Sequence, residues 1–233
     1  MKIKKLISAL VLGSMLVGLS GCNITDFSAE NLLRPPKAVG DEAEIEQLIA
    51  KTADSGYTLK YPKNGKFRSA IIMTDLDGND SNEAVAFFRN SAETSSVHML
   101  VMYSKDNSWE IASDNIFETT DIDSVDFADL TGNGKAEIIV NSTTYTPNVG
   151  KLSCYSYSEG KTNEVGSGQS CSSFVTGDFD NDGTSEIMSF VLYTTENEAL
   201  ASMLDYNEDS KSLYAKAMAN MDPNVVKYKN IAV

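Results

Sequence analysis

Asp178-Phe179-Asp180-Asn181-Asp182-Gly183-Thr184-Ser185-Glu186 runs directly into the apolar stretch Ile187-Met188-Ser189-Phe190. The same arrangement occurs twice more. Asp75-Leu76-Asp77-Gly78-Asn79-Asp80-Ser81-Asn82-Glu83 precedes Ala84-Val85-Ala86-Phe87, and Asp129-Leu130-Thr131-Gly132-Asn133-Gly134-Lys135-Ala136-Glu137 precedes Ile138-Ile139-Val140. The three starts lie 54 and 49 residues apart. Each stretch sits between one apolar strand that ends at the first Asp and another that begins at the Glu. Short strands are expected at 68–74, 83–89, 97–103, 109–112, 122–128, 136–145, 151–157, 172–177, 186–194 and 200–206, with turn residues between them. A third, Tyr-containing strand follows in the first two units (Val97–Tyr103 and Leu152–Tyr157), and a fourth would carry the chain onward. Four antiparallel strands per roughly 50 residues is the size of a propeller blade. The fold class is therefore all-β, with blades at about 57–112, 113–168 and 169–222 and the start of a further one at 223–233.

The loops also carry chemistry. Oxygen side chains at positions 1, 3, 5 and 9 of a tight loop can converge on one point, and a position-6 Gly allows the left-handed turn that brings them together. The carbonyl at position 7 can face the same point. The candidate ligands are Asp75, Asp77, Asn79 and Glu83; Asp129, Thr131, Asn133 and Glu137; and Asp178, Asp180, Asp182 and Glu186. Hard oxygen donors with net negative charge suit calcium, and no His or Cys lies in any of the loops. The third loop has the fullest acidic set. The first has Asp80 where Gly is expected, which Asp tolerates at some cost. The second keeps charge only at Asp129 and Glu137 among its ligand positions. The alternative is a set of Asx-type turns that close hairpins without metal.

These loops resemble those of the FG-GAP/VCBS repeat, found in integrin-like β-propellers and many secreted bacterial proteins. The resemblance covers about residues 57–222. It implies that each loop joins the first and second strands of a blade and holds calcium. Asp80 and Thr131 depart from the pattern, and the Phe-Gly…Gly-Ala-Pro signature is not visible. With the N-terminal signal described next, the chain is similar to VCBS-repeat lipoproteins of Firmicutes. Propellers of this kind close with six or seven blades, roughly 300–350 residues. The count here implies an incomplete propeller of three to four blades, in a piece of a longer protein.

The N-terminus places the domain. Lys2, Lys4 and Lys5 precede an apolar stretch over 6–20 that ends in Leu19-Ser20-Gly21-Cys22. The stretch is shorter than the roughly 20 residues of a spanning helix. It reads as a signal peptide over 1–21 whose lipobox makes Cys22 the lipid-bearing N-terminus. The chain is then extracytoplasmic and anchored to the bacterial cell membrane through lipid on Cys22. An ordinary secretory signal is the alternative. Residues 22–40, with Arg34-Pro35-Pro36, form a tether. Asp41 and Glu44 have capping-box spacing, and Ile45, Leu48, Ile49 and Ala53 continue at helical intervals, so a short helix is expected near 42–53.

The whole chain has 233 residues and a formal charge of −14. Removing residues 1–21 takes away three Lys and no acid, leaving 16 basic and 33 acidic residues, −17 over 212 residues. That charge excludes a broad nucleic-acid surface. A single His and three Cys argue against a His-rich zinc site. Cys154 and Cys171 form either a disulfide, which the setting permits, or two buried thiols. His98 shares a strand face with Leu100 and Met102 and reads as structural. The strand aromatics pack blades together, and a few could line a glycan- or protein-binding surface. Three functions fit: a non-catalytic binding or scaffold lipoprotein with calcium-stabilised blades, a polysaccharide-active enzyme on a propeller, or a spacer for a missing C-terminal region. The chain supplies little basic material for the enzyme.

Overall fold

The computed structural model describes residues 40–222 except 55, 94 and 194–196. The signal peptide, Cys22, most of the tether and the further-blade segment 223–233 lie outside the described residues. Among the described residues the fold is all-β, in three propeller-like antiparallel sheets with one short helix, and the sheets do not close into a barrel.

Blade 1 contains β1 (Tyr57–Leu59), β2 (Ile71–Thr74), β3 (Glu83–Asn90), β4 (Val97–Lys105) and β5 (Ser108–Phe117). Two short segments share its inner edge: β2 pairs with residues 83–86 of β3, and β1 pairs with 88–90. The excursion between them reaches blade 2. The Lys63 and Asn64 amides donate to the carbonyls of Ile122 (3.2 Å) and Asp123 (2.7 Å), and Lys60 pairs with Asp121 at 2.8 Å. Blade 2 runs β6 (Ile122–Ala128), β7 (Glu137–Thr143), β8 (Gly150–Ser158) and β9 (Lys161–Cys171), in that spatial order. Blade 3 repeats it with β10 (Ser173–Gly177), β11 (Glu186–Tyr193), β12 (Glu198–Asn207) and β13 (Ser212–Met221).

The second and third strands of blades 1 and 2 are buried on both faces, because each blade is covered on both sides. Phe87, Val97, Met99 and Val101 of blade 1 pack against Ile122, Val125, Ile138 and Val140 of blade 2. Leu130, Ile139, Leu152 and Val165 of blade 2 pack against Ile187, Leu204 and Leu213 of blade 3. Helix α1 (Asp41–Ala53) covers the other face of blade 1, setting Ile45, Ile49 and Ala53 on Ala84, Ala86, Phe88, Leu100, Met102 and Trp109.

Two expectations change, and the choice between disulfide and thiols is decided. The helix has no capping box. Its N-cap is Gly40, at φ 63°, with no side-chain cap. Asp41 instead adds charge to the first turn, where it complements the helix dipole, and Glu44 accepts a bond from the Trp109 amide at 3.4 Å. Cys154 and Cys171 are buried thiols, not a disulfide. Cys154 faces Gly166, while Cys171 faces Gly150, four residues back along β8. That offset is about 13 Å of strand, well beyond the roughly 7 Å a disulfide can span. Burial, aided by the charge of Glu137, pushes the Cys154 thiol far above its usual range. Finally, the expected blade boundaries at 112 and 168 fall inside β5 and β9, and the chain passes between blades at 118–121 and at 172.

Candidate metal centres

Each repeated loop joins the first strand of its blade to the second, and all three share one backbone frame. The position-1 carboxylate accepts amides from later in its own loop. Asp75 takes Gly78 (2.8 Å), Asn79 (3.3 Å) and Asp80 (2.9 Å). Asp129 takes Asn133 (3.1 Å) and Gly134 (2.7 Å), and Asp178 takes Asp182 (3.2 Å) and Gly183 (3.1 Å). The position-5 side chain accepts the position-7 amide, as from Ser81 at 2.7 Å, Lys135 at 2.8 Å and Thr184 at 2.9 Å. Glu83, Glu137 and Glu186 each accept the position-2 amide at 2.8 Å, from Leu76, Leu130 and Phe179. The glutamates therefore hold the turn whether or not a metal is present.

Two positions per loop are left-handed. Position 6 was expected, and Asp80 adopts it at φ 66°. Position 4 was not: Gly78, Gly132 and Asn181 lie at φ 74°, 70° and 62°. Position 4 also touches the next loop. A Cβ on Gly132 would stand 2.6 Å from the Thr184 methyl, and one on Gly78 would stand 3.4 Å from the Gly134 carbonyl. Backbone bonds join the same neighbours, from the Ala136 amide to the Leu76 carbonyl (3.1 Å) and from the Ser185 amide to the Asp129 carbonyl (2.9 Å). Asn181, in the last described blade, has no following loop there to meet, and a side chain is accommodated.

The loops differ in their oxygens. Asp75, Asp77 and Glu83 bring carboxylate oxygens within 4.8 Å of one another, as do Asp178, Asp180, Asp182 and Glu186. Each of these two clusters holds a buried oxygen without a hydrogen-bond partner, Asp77 Oδ1 in the first and Glu186 Oε1 in the third. Glu186 is fully buried. An orphaned buried carboxylate oxygen is costly unless something positive meets it. Loop 2 has satisfied itself instead: the Thr131 hydroxyl donates to Glu137 Oε1 at 3.2 Å while Leu130 occupies Oε2. The neutral residue at position 3 therefore supplies the proton that a cation would replace.

Electrostatics do not separate the loops: burial raises Glu137 too, and Asp129 adds to it against the Leu130 amide and the Thr131 hydroxyl. Burial raises Glu83, and the charges of Asp77 and Asp75 raise it further against the Leu76 amide. Burial likewise raises Glu186, with Asp180, Asp182 and Asp205 adding to the effect. Burial also raises Asp75, but four backbone amides outweigh it and hold the group below its usual value. In loop 1, carboxylates are thus crowded together while Asp75 is kept charged, the electrostatics of a hard-cation site. Glu137→Gln should cost less than about 1 kcal/mol, because Gln can accept the Leu130 amide and its NH2 can donate to Thr131. Thermal melts with and without calcium check this; a large loss in either condition would contradict a metal-free second loop.

His98 is 6% exposed and committed. Its Nδ1 lies 2.9 Å from Asp114, its Nε2 lies 3.1 Å from Glu93, and its ring stacks on Phe88 at 4.8 Å. Burial lowers its pKa, but the two carboxylates outweigh that and raise it. Both of its ring nitrogens are engaged within blade 1, on the strand face it shares with Leu100 and Met102. Sequence reading missed residues brought to the loops from elsewhere. Tyr157 of blade 2 is pushed up to about 12 by burial and by Glu83 and Asp77 of loop 1. Tyr206 of blade 3 is raised by burial, with Glu208 and then loop 2's Glu137 contributing. Lys216 and Asp205 stand beside loop 3. The Tyr pair was legible by spacing, since both follow their loop's first Asp by 28 residues as Tyr103 does, although the register aligns them with Ser104.

No protein-family model matches the chain, and no curated protein matches it.

Proposed function

We propose that the chain is an extracytoplasmic lipoprotein, anchored through lipid on Cys22, whose blade array is stabilised by calcium in loops 1 and 3 and serves as a non-catalytic binding or scaffold module. The observation that carries the metal reading is the pair of orphaned buried oxygens, Asp77 Oδ1 and Glu186 Oε1, each set among converging carboxylates. The resemblance of the three loops to the FG-GAP/VCBS repeat supports the same ion. In loop 1 the holders would be Asp75, Asp77, Asn79 and Glu83, and in loop 3 Asp178, Asp180, Asp182 and Glu186. Calcium there would neutralise the carboxylates and tie the first strand of a blade to its second. Sites as weak as 10⁻⁴–10⁻³ M are filled at extracellular calcium levels.

Isothermal calorimetry on the full chain tests the metal assignment. Two calcium ions should bind, and Asp178→Ala should leave one. Absence of binding heat, or three equivalent sites, contradicts it. The anchor is tested separately. Cys22→Ser should move the protein from the detergent-rich to the aqueous phase when bacterial cells producing it are extracted; unchanged partitioning rules the lipid out.

A further inference from the structure

Loops 1 and 3 differ in what stands beside position 3. In loop 1, Asp77 Oδ1 is buried and has no hydrogen-bond partner. In loop 3, the same position is already met: the Lys216 ammonium donates to Asp180 Oδ2, and at 2.8 Å to Asp205 Oδ2. Lys216 is an exposed residue whose side chain is 33% accessible.

A β-bulge puts it there. Met203 pairs with Ala217 and Leu204 with Ala215, so Lys216 is the extra residue of β13. Bulges bend a strand and re-aim a side chain. The same bulge recurs in the other blades. Ala112 is extra between the pairs Val101–Ser113 and Met102–Ile111, and Val165 between Cys154–Gly166 and Tyr155–Glu164. Those two side chains pack into the cores between blades. At the register where blades 1 and 2 place an apolar group, blade 3 alone places a cation, and that cation reaches a candidate metal ligand.

We infer that Lys216 is a built-in competitor of the divalent cation at loop 3, neutralising Asp180 in the metal-free protein and weakening metal binding there. This rests on the calcium reading above. Asp180 cannot offer its full charge to calcium while the ammonium holds it, and an ammonium left a few ångströms from a divalent ion repels it. Lys216 also keeps the loop together without metal by balancing Asp180 and Asp205. Loop 3 has the most acids, but its affinity is lower than that count implies.

The test isolates loop 3 with Asp75→Ala, which disables loop 1, and adds Lys216→Met, which keeps most of the apolar stem and removes the charge. Calcium titrations by calorimetry on the full chain should show about tenfold tighter binding for the double variant than for Asp75→Ala alone. Without calcium, the double variant should melt at a lower temperature than Asp75→Ala. Equal or weaker calcium binding in the double variant overturns the inference, since Lys216 would then position Asp180 rather than compete for it. Calcium heat lacking from the unmodified chain overturns the calcium reading and this inference with it. Heat in both variants at equal affinity overturns this inference alone.

Discussion

Calcium at a hundred times its dissociation constant is expected to raise the melting temperature of the chain by about 10 °C or more, and excess EDTA to reverse the shift. One ligand that binds only the folded state contributes about 2.7 kcal/mol at that concentration, so two sites contribute about 5 kcal/mol. For a domain of this size each kcal/mol moves the midpoint by roughly 2–4 °C. The metal-free reference supports a large effect. Glu186 and Asp77 each hold a buried oxygen with no donor, inside clusters of like charge, and calcium relieves both penalties at once. Asp178→Ala should remove about half the shift, because loop 1 remains. A melting temperature that ignores calcium and EDTA alike would mean the loops are plain Asx turns.

Ile49→Asp should detach helix α1 and shift the emission of Trp109 to the red. Ile49 is fully buried against blade 1, and Trp109, the only tryptophan in the chain, is 8% exposed in the same cluster. Losing a buried Ile side chain costs about 2–5 kcal/mol. An unpaired carboxylate in that seat costs more, so the helix leaves rather than bury it. Its departure uncovers Ala84, Ala86, Phe88, Leu100 and Met102 along with the indole. A hydrophobic dye should bind the variant and not the parent. Lys51→Asp, at an exposed position of the same helix, serves as the control and should change neither signal. Unchanged emission in the Ile49 variant would show that the helix is not what shields Trp109.

Much of this fold was legible because blades 1 and 2 are covered on both faces. Strands such as Glu83–Asn90 and Val97–Lys105 then become continuous apolar runs, which stand out against the Asp- and Gly-rich loops between them. The outer strands were not legible for the opposite reason. β9 (Lys161–Cys171) and most of β13 (Ser212–Met221) lie at an edge with little to bury, so they carry polar residues, glycines and small side chains without clear alternation. β1 is three residues long and pairs only with residues 88–90 of β3. At the loops, the acids were plain in the sequence, but the use made of them was not. Glu137 could be read as a ligand by its spacing, whereas its bonds to Leu130 and Thr131 explain it without metal. Lys216 lies 36 residues from Asp180, and only a bulge in the register brings them together. Cys154 and Cys171 show the same limit: separation along the chain says nothing of the four residues of β8 between Cys154 and Gly150, the partner of Cys171.

The backbone bonds between loops, Ala136 to Leu76 and Ser185 to Asp129, give the three loops a shared reading frame. The second loop donates to the first and accepts from the third. A single-residue insertion in one would break its own turn and also misalign a neighbour's. The middle loop, whose Glu137 oxygens are both met by loop donors, is bonded on either side to loops suited to hold an ion. Its order is borrowed, and that frees its sequence. Position 3 can be the neutral Thr131 because the flanking loops hold the frame in place.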